Sequence, residues 1–599
     1  MATETTGTLG GAAESNGVAQ ANGKRQKLHG RAFYESIGSP KLVLAPMVEQ
    51  SEFVRLIFYS SFWYFPRLTT RFAQAWRLLS RSFLPSDQQR SLLAYTPMFH
   101  SKMFHEKSHY RDAHFQPLKA TIPSPPDDYH TSQLQDSERH LDGHPAIDRP
   151  LTVQFCSNDP DDLLKAAQHV APFCDAVDLN LGCPQGIAKR GKYGAFLQET
   201  PDLIASMIRK LHEQLDVPVT AKMRVLETKE KTLAYAKTLL DAGASIITVH
   251  GRRREQKGHN TGLADWQMIR HLRESLPKDT VIFANGNILQ HEDIATCLEA
   301  TGADGVMSAE GNLYDPTIFA PPPPIGNEGR EYWRDKDGKS GYRVDAVMRR
   351  YLDIIHKYAL GQTPPVRTPL WKLGDPEEAP VEEKEEEVGE EGPPRKKQKQ
   401  KQDSKQKSKA AAKKEKTQNP NLTAMQAHLF HLLRPLVSAH HNVRDALARS
   451  RTGDIDAFEN VLLLVEKAVK EGITAYDPNA TQPAPPPPSD DPYESSLATV
   501  ARCKRPYWVC QPYVRPLPKE ALEKGSMSLS KKEKKRLEEE KEKAETEAVG
   551  LEVGGKVDMQ SKETGEVVGK ESLGESEEKK GEDVGEGVVE VPREGVVCG

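Results

Sequence analysis

The chain has 599 residues, 37% apolar and 28% charged, with 43 prolines, 7 scattered cysteines and a formal net charge of −4. That composition excludes a helical membrane protein, because no apolar run is long enough to span a bilayer. It also excludes a disulfide-stapled secreted domain, because the cysteines show no framework spacing.

Residues 1 to about 35 are small and polar and are expected to be a disordered lead. They carry neither the apolar stretch of a secretory leader nor the arginines of a transit peptide. From 36 to 330 eight short apolar runs recur: KLVLAP (41–46), LLAYTP (92–97), LTVQFC (151–156), AVDLNLG (176–182), PVTAKMRV (218–225), SIITVHG (245–251), VIFANG (281–286) and GVMSAEG (305–311). Amphipathic stretches such as DPDDLLKAAQHVAPF, PDLIASMIRKLHEQL and KTLAYAKTLLDAG alternate with them. Near-continuous apolar strands alternating with helices predict a parallel sheet covered by helices. Eight such units favour the α/β class and a TIM-type (β/α)8 barrel over an open doubly wound sheet, with the active face where the strands end.

Two stretches interrupt the pattern. Residues 56–74, LIFYSSFWYFPRLTTRFAQ, are aromatic and fall inside the first expected helix. Joining SEFVR directly to AWRLLSR restores an amphipathic run, so the segment is read as a surface insertion or a translated intron. The second reading is favoured by a branch-like CTAAC codable in RLTT and an acceptor-like CAG at its end. Residues of about 120–148 read as an exposed loop insertion.

Beyond 330, residues 331–371 read as a connecting helical segment. Residues 372–419 form an acidic block followed by a basic one, RKKQKQKQDSKQKSK, which cannot bury a core. From 420 to 476 helical periodicity returns, with Met425, Leu429, Leu432 and Leu436 on one face, predicting a small all-α domain. Residues 477–516 are a Pro-rich linker ending in CKRPYWVCQPYVRP, expected either to pack back onto the fold or to stack on RNA. Its two cysteines do not complete a zinc site, and no metal is expected. Residues 517–599 read as a disordered tail.

The strongest chemical signal is DLNLGCPQGIAKRGKYGAFL (178–197). A lone cysteine is most often buried core. Cys183, however, lies at a strand end, between Gly182 and Pro184, which fix a turn, and precedes a basic cluster, Lys189, Arg190 and Lys192, suited to phosphate.

This segment closely resembles the catalytic loop of tRNA dihydrouridine synthases. The resemblance extends through APMVEQSE (45–52), YTPMF (95–99), RPLTVQFCSNDP (149–160), TAKMRV (220–225), TVHGRRREQKG (248–258), FANGNI (283–288), GVMSAEGN (305–312) and AHLF (427–430). The wording looks like the eukaryotic branch that reduces uridines sixteen and seventeen of the tRNA D-loop. The resemblance implies FMN as cofactor, NADPH or NADH as reductant, and a monomer acting on tRNA. No separate dinucleotide-binding fingerprint is present.

It also implies roles. Reducing the uracil double bond needs a hydride at C6 and a proton at C5, and Cys183 is the implied acid; a thiol with an ordinary pKa of ~8.5 is mostly protonated at neutral pH. Pro46, Met47 and Val48 are expected against the isoalloxazine ring, and Gln154 at its polar edge. Lys222 is expected to meet the N1–O2 side, and His250 to wall the ring and ribityl chain. Asn285, Gly286 and Asn287, with Ala309, Glu310 and Gly311, are expected to cradle the phosphate, Glu310 through its N–H with its side chain turned away. Asn180 and Arg224 are expected to hold the uracil; Lys222 and Arg224, two apart on a strand, point to one side. The alternative for Arg224 is an ion pair in the barrel mouth.

The helical region is expected to bind tRNA through His428, Arg434, Arg444, Arg449 and Arg451, with Arg252, Arg253 and Arg254 at the barrel mouth sharing the load. The bland alternative is a bundle that only braces the barrel. The basic run at 395–409 reads as a solvated linker, a nuclear localisation signal or a loose RNA anchor, so the expected location is cytoplasmic, nuclear or both. Two rival functions remain: an FMN barrel that reduces a small-molecule double bond, and an inactive RNA-binding barrel. Cys183, Lys222, His250 and the phosphate loops argue against the second.

Overall fold

The computed structural model describes residues 27–47, 74–118, 142–376, 419–477, 496–518 and 520. Val48 and residues 56–73 of the first insertion lie outside the described residues, as do the tails, the charged linker from 377 to 418, and most of the second insertion.

Eight parallel strands close into a barrel: β1 (Leu42–Leu44), β2 (Leu92–Tyr95), β3 (Leu151–Cys156), β4 (Ala176–Leu181), β5 (Val219–Arg224), β6 (Ile246–His250), β7 (Val281–Asn285) and β8 (Gly305–Ser308). Each pairs with its sequence neighbour, and β1 pairs with both β2 and β8, which closes the ring. All six residues of β3, of β4 and of β5 are buried. Alternate side chains fill the barrel and the rest pack under the helices, which is why these strands read as apolar runs rather than as alternating ones. The helices begin where sequence chemistry places them. Asp159 accepts from the N–H groups of Asp161 and Asp162, and Pro160 occupies the first position of helix Pro160–Val170.

The lower end of the barrel is plugged by helix Gly30–Ser36, which falls inside the segment expected to be a disordered lead. Phe33 and Tyr34 bury themselves against Val43, Leu93, Tyr95, Phe283 and Met307. An open barrel end exposes apolar side chains, and these two aromatics cover them.

Helix Gln74–Ser82 is tied down by a buried ion cluster. Arg77 reaches Asp148 at 2.6 Å and Asp142 at 2.7 Å, and Arg81 reaches Asp148 at 2.9 Å. Arg81 also donates to the carbonyls of Leu92 (3.1 Å) and Pro150 (2.8 Å), at the starts of β2 and β3. Burial by itself would raise the Asp148 carboxyl, but the two guanidiniums hold it below the usual range.

Past the barrel, an antiparallel hairpin of β9 (Tyr332–Arg334) and β10 (Ser340–Tyr342) leads into helix Val344–Ile354. Helices Pro420–Leu432, Arg434–Ala439, His441–Arg449 and Ile455–Ala475 then share one hydrophobic core with the barrel's outer layer. His428, expected on an RNA-facing surface, is instead fully buried. Its ring lies 4.5 Å from Trp76, and Nδ1 is 2.9 Å from the Tyr351 hydroxyl. Position along the helix put it with the basic residues, but it sits on the face that meets the barrel.

Residues 503–514 pack back onto the fold. The Val344 N–H donates to Trp508 O at 3.0 Å and the Cys510 N–H to Tyr342 O at 2.9 Å. The Trp508 ring clusters with Trp333 and Tyr476, which also meet each other, and a Cβ on Gly472 would collide with it. Cys503 and Cys510 are free and buried.

Removing one partner of a buried ion pair leaves the other charge stranded. Arg77→Met is therefore expected to lower stability by ~3–5 kcal/mol, measured by urea unfolding. The exposed control Arg444→Met should stay within about 0.5 kcal/mol.

Candidate active site

At the carboxyl ends of β3 to β7 the side chains of Gln154, Asn180, Lys222, Arg224, His250 and Asn285 converge on the barrel mouth. The pleat turns alternate residues to the same side, so Asp178 lies one layer below Asn180 and Thr220 one below Lys222. The Asp178 carboxylate accepts from Thr220 Oγ1 at 2.6 Å and Gln154 Nε2 at 2.8 Å. Burial pushes it up to about 6, against those two hydrogen bonds and Lys222.

Lys222 Nζ donates to Asn285 Oδ1 at 2.9 Å. Burial, reinforced by Arg224, pulls its ammonium down to about 8. Arg224 donates to Gly182 O (2.6 Å) and Arg253 O (3.0 Å), and burial lowers its guanidinium to about 10. It forms no ion pair among the described residues: backbone carbonyls hold it, and it braces the Cys183 turn from the next strand. His250 is held neutral by burial and three nearby cations, Arg224, Lys222 and Arg252.

Arg252, expected to face RNA, turns inward. Its guanidinium is 3.2 Å from His250 Nε2 and donates to Asn287 Oδ1 at 2.8 Å. A cation therefore stands beside the Gly286–Asn287 turn. Gly286 has φ +117, and a Cβ there would stand 2.6 Å from Ala264 Cβ, so only glycine fits. Ala309, Glu310 and Gly311 open helix Glu310–Tyr314 directly after β8. Gly311 is packed so closely on Ile288 O that a Cβ would collide. Pro46 and Met47 follow β1, half-buried.

Cys183 is half-buried on the turn after β4. The Asn180 carboxamide builds that turn: its Oδ1 accepts from the N–H groups of Gly182 (3.1 Å) and Cys183 (3.0 Å), while its Nδ2 donates to Gln154 Oε1 (2.8 Å). The loop is held further by the Ala195 N–H on Cys183 O (3.1 Å) and by Lys257 Nζ on Pro184 O (2.8 Å). Gly194, at φ +66, leaves no room for a Cβ against Cys183. Burial pushes the Cys183 thiol up; a backbone N–H and the cations Arg224, Lys222 and Lys257 oppose this without cancelling it.

Sequence reasoning did not find Asp178 or Lys257. Asp178 was visible as a charge inside an apolar strand, two before Asn180. Lys257 lay in the quoted GRRREQKG segment but stood out less than its arginines. Lys189 and Arg190 are exposed on short helix Gly186–Arg190, beside the Cys183 turn. Arg434 stacks 3.7 Å over the Tyr513 ring and, with Tyr314 and Lys504, lines a cavity of about 240 Å³. Arg444 is half-exposed beside Asp445.

A thiol raised by burial alkylates slowly. The rate of Cys183 alkylation by iodoacetamide, followed by peptide mass spectrometry, is expected to reach half-maximum above the ordinary thiol pKa. Lys257→Met removes a cation that favours the thiolate and should move that midpoint further up. A midpoint below the ordinary value would show that the cations outweigh burial.

A family model described as dihydrouridine synthase matches residues 67–332. The chain is 39% identical over 494 residues to a Schizosaccharomyces pombe protein named tRNA-dihydrouridine(16/17) synthase, covering 82% of this chain and 92% of that one. It is 39% identical over 498 residues to the Saccharomyces cerevisiae protein of the same name, covering 83% and 88%. It is 33% identical over 509 residues to a Rattus norvegicus protein named as like that synthase, covering 84% and 81%. With matches of this extent on both sides of the alignment, the chain belongs to the dihydrouridine synthase family.

Proposed function

We propose that this chain is an FMN-dependent tRNA dihydrouridine synthase that reduces uridines 16 and 17 of the D-loop, with NADPH or NADH as reductant. The observation that carries the reading is the placement of a protonated thiol, Cys183, on a rigid turn beside a mouth that holds two buried cations.

The residues at the mouth fit a flavin phosphate ester. Lys222 is a buried ammonium hydrogen-bonded to a neutral amide oxygen, with Asp178 one layer below, and suits the negative charge that a reduced flavin carries on its N1–O2 side. Gly286 and Gly311, each packed too closely for a side chain, lie at the ends of β7 and β8, where a phosphate is commonly bound in barrels. Arg252 supplies the cation that the sequence SAEG lacked. Pro46, Met47, Gln154, Lys222, His250, Asn285, Gly286, Asn287, Ala309, Glu310 and Gly311 would hold the cofactor. FMN, when bound, supplies the hydride for uracil C6.

The protein's own part is orientation and one proton. Cys183 holds its proton at neutral pH and gives it to C5. Arg224, fixed by two backbone carbonyls, holds positive charge where a uracil carbonyl gains negative charge as C6 accepts hydride. Asn180 already uses both ends of its amide within the site, so it acts on uracil chiefly by fixing the Cys183 turn. Lys189 and Arg190 near the mouth, with Arg434 and Arg444 on the helical domain at 420–476, meet tRNA phosphates. Among the described residues no helix is long and apolar enough to cross a membrane.

Cys183→Ala is expected to keep flavin absorbance and tRNA binding while losing ~10²–10⁴ in turnover, read as dihydrouridine formed; an active alanine variant sinks the assignment. NADPH oxidation should rise with unmodified tRNA and not with free uracil or uridine; the opposite result favours a small-molecule reductase. Arg434→Ala should weaken tRNA binding and reduce the slope of log affinity against log salt by about 1.

A further inference from the structure

One hydrogen-bonded chain runs from the barrel axis to the catalytic turn. Thr220 and Gln154 donate to Asp178, Asn180 Nδ2 donates to Gln154 Oε1, and the N–H groups of Gly182 and Cys183 donate to Asn180 Oδ1. The lengths are all 2.6–3.1 Å. The two amides in the middle have the same shape turned either way. Their direction is therefore decided at the ends. At one end backbone N–H groups can only donate; at the other an ionised carboxylate can only accept. Asp178 is fully buried on β4, and Lys222 of β5 is the cation that faces it, with Tyr95 of β2 nearby.

We propose that Asp178 is a positioning residue: by accepting at the far end of the Gln154–Asn180 chain it holds both amides in the direction that the Gly182 and Cys183 N–H groups require, and so supports the turn on which the Cys183 thiol is presented. The consequence for catalysis rests on Cys183 being the proton donor; the positioning itself does not.

Opposite substitutions test the direction. In Asn180→Asp, an acceptor faces Gln154 Oε1. If Gln154 turns over to donate to it, Oε1 then faces Asp178. Either way two acceptors meet. Adding Asp178→Asn supplies the missing donor. The new amide nitrogen at position 178 donates to the turned Gln154, whose Nε2 donates to the new carboxylate at position 180. Thr220 still donates to the amide oxygen at position 178. In Asp178→Asn alone the original direction survives, because the Thr220 hydroxyl can accept from the new amide nitrogen.

The readout is the limiting rate of Cys183 alkylation at high pH, where thiolate fraction no longer matters, alongside turnover of the FMN-loaded enzyme. Asn180→Asp is expected to lower both by about tenfold or more, the size expected for one buried mismatched hydrogen bond. Asp178→Asn should cost no more than about threefold, and the double variant should recover to near that level. A double variant no better than Asn180→Asp overturns the proposal. If Asn180→Asp does not fold, Gln154→Glu gives a second arm. It sets a carboxylate against Asp178 and should be rescued by the same Asp178→Asn; absence of that rescue also overturns it. Rescue of alkylation together with an active Cys183→Ala would leave the positioning standing and remove the donor role. An inactive Cys183→Ala without rescue would do the reverse.

Discussion

Two cations two residues apart on β5, Lys222 and Arg224, are buried in the barrel mouth, and the surrounding structure answers to that fact. Burial disfavours both charges, and Arg224 further disfavours that of Lys222. An ion of this kind is tolerated inside a protein only with hydrogen-bond partners and nearby opposite charge. The fold supplies the partners from neighbouring strands and their loops: Asn285 on β7 for Lys222, and for Arg224 the carbonyls of Gly182 after β4 and Arg253 after β6. Asp178, one layer down, supplies the opposite charge. The arrangement also keeps His250 neutral and the Cys183 loop pinned. Positive potential is thus stored where a bound anion and a developing enolate would use it.

The mouth keeps its shape because the barrel is braced from outside. The Arg77–Asp148–Arg81 cluster locks helix Gln74–Ser82 to the starts of β2 and β3. The other face of that helix presents Trp76, which donates to Asn312 just beyond β8 and packs on His428 of the helical region. The helical region is therefore continuous with the wall next to Gly311. The buried face of this region braces the barrel, and Arg444 lies on its outside.

Much of this was legible in the sequence because burial on both sides makes parallel strands near-continuously apolar. All eight runs became strands, and Cys183 fell at a strand end as its flanking Gly182 and Pro184 indicated. What stayed hidden depends on contacts between distant positions. Asp178 looks like one polar residue in a strand until Gln154 and Thr220 arrive from neighbouring strands. Arg252 looks like one of three arginines at the mouth, yet only its guanidinium turns back toward His250 and Asn287. Helix Gly30–Ser36 is too short and polar to announce itself, and its two aromatics gain meaning only from the open barrel end they cover. The segment around Trp508 was ambiguous for the same reason: nothing local says that Gly472 leaves a space for an indole ring.

Either side of the charged linker, the chain is anchored to the same body. Before it, Trp371 O accepts from Arg343 at 2.7 Å, and Arg330 pairs with Asp375. After it, Asn421 Oδ1 accepts from the Ala75 N–H at 2.8 Å. Both anchors sit on one frame, and the closure cost of any flexible loop between fixed ends grows only with the logarithm of its length, about 0.6 kcal/mol per doubling. Insertions and deletions there leave the barrel and helical core in register. A change in the length of the sequence between these anchors therefore need not disturb either anchoring contact.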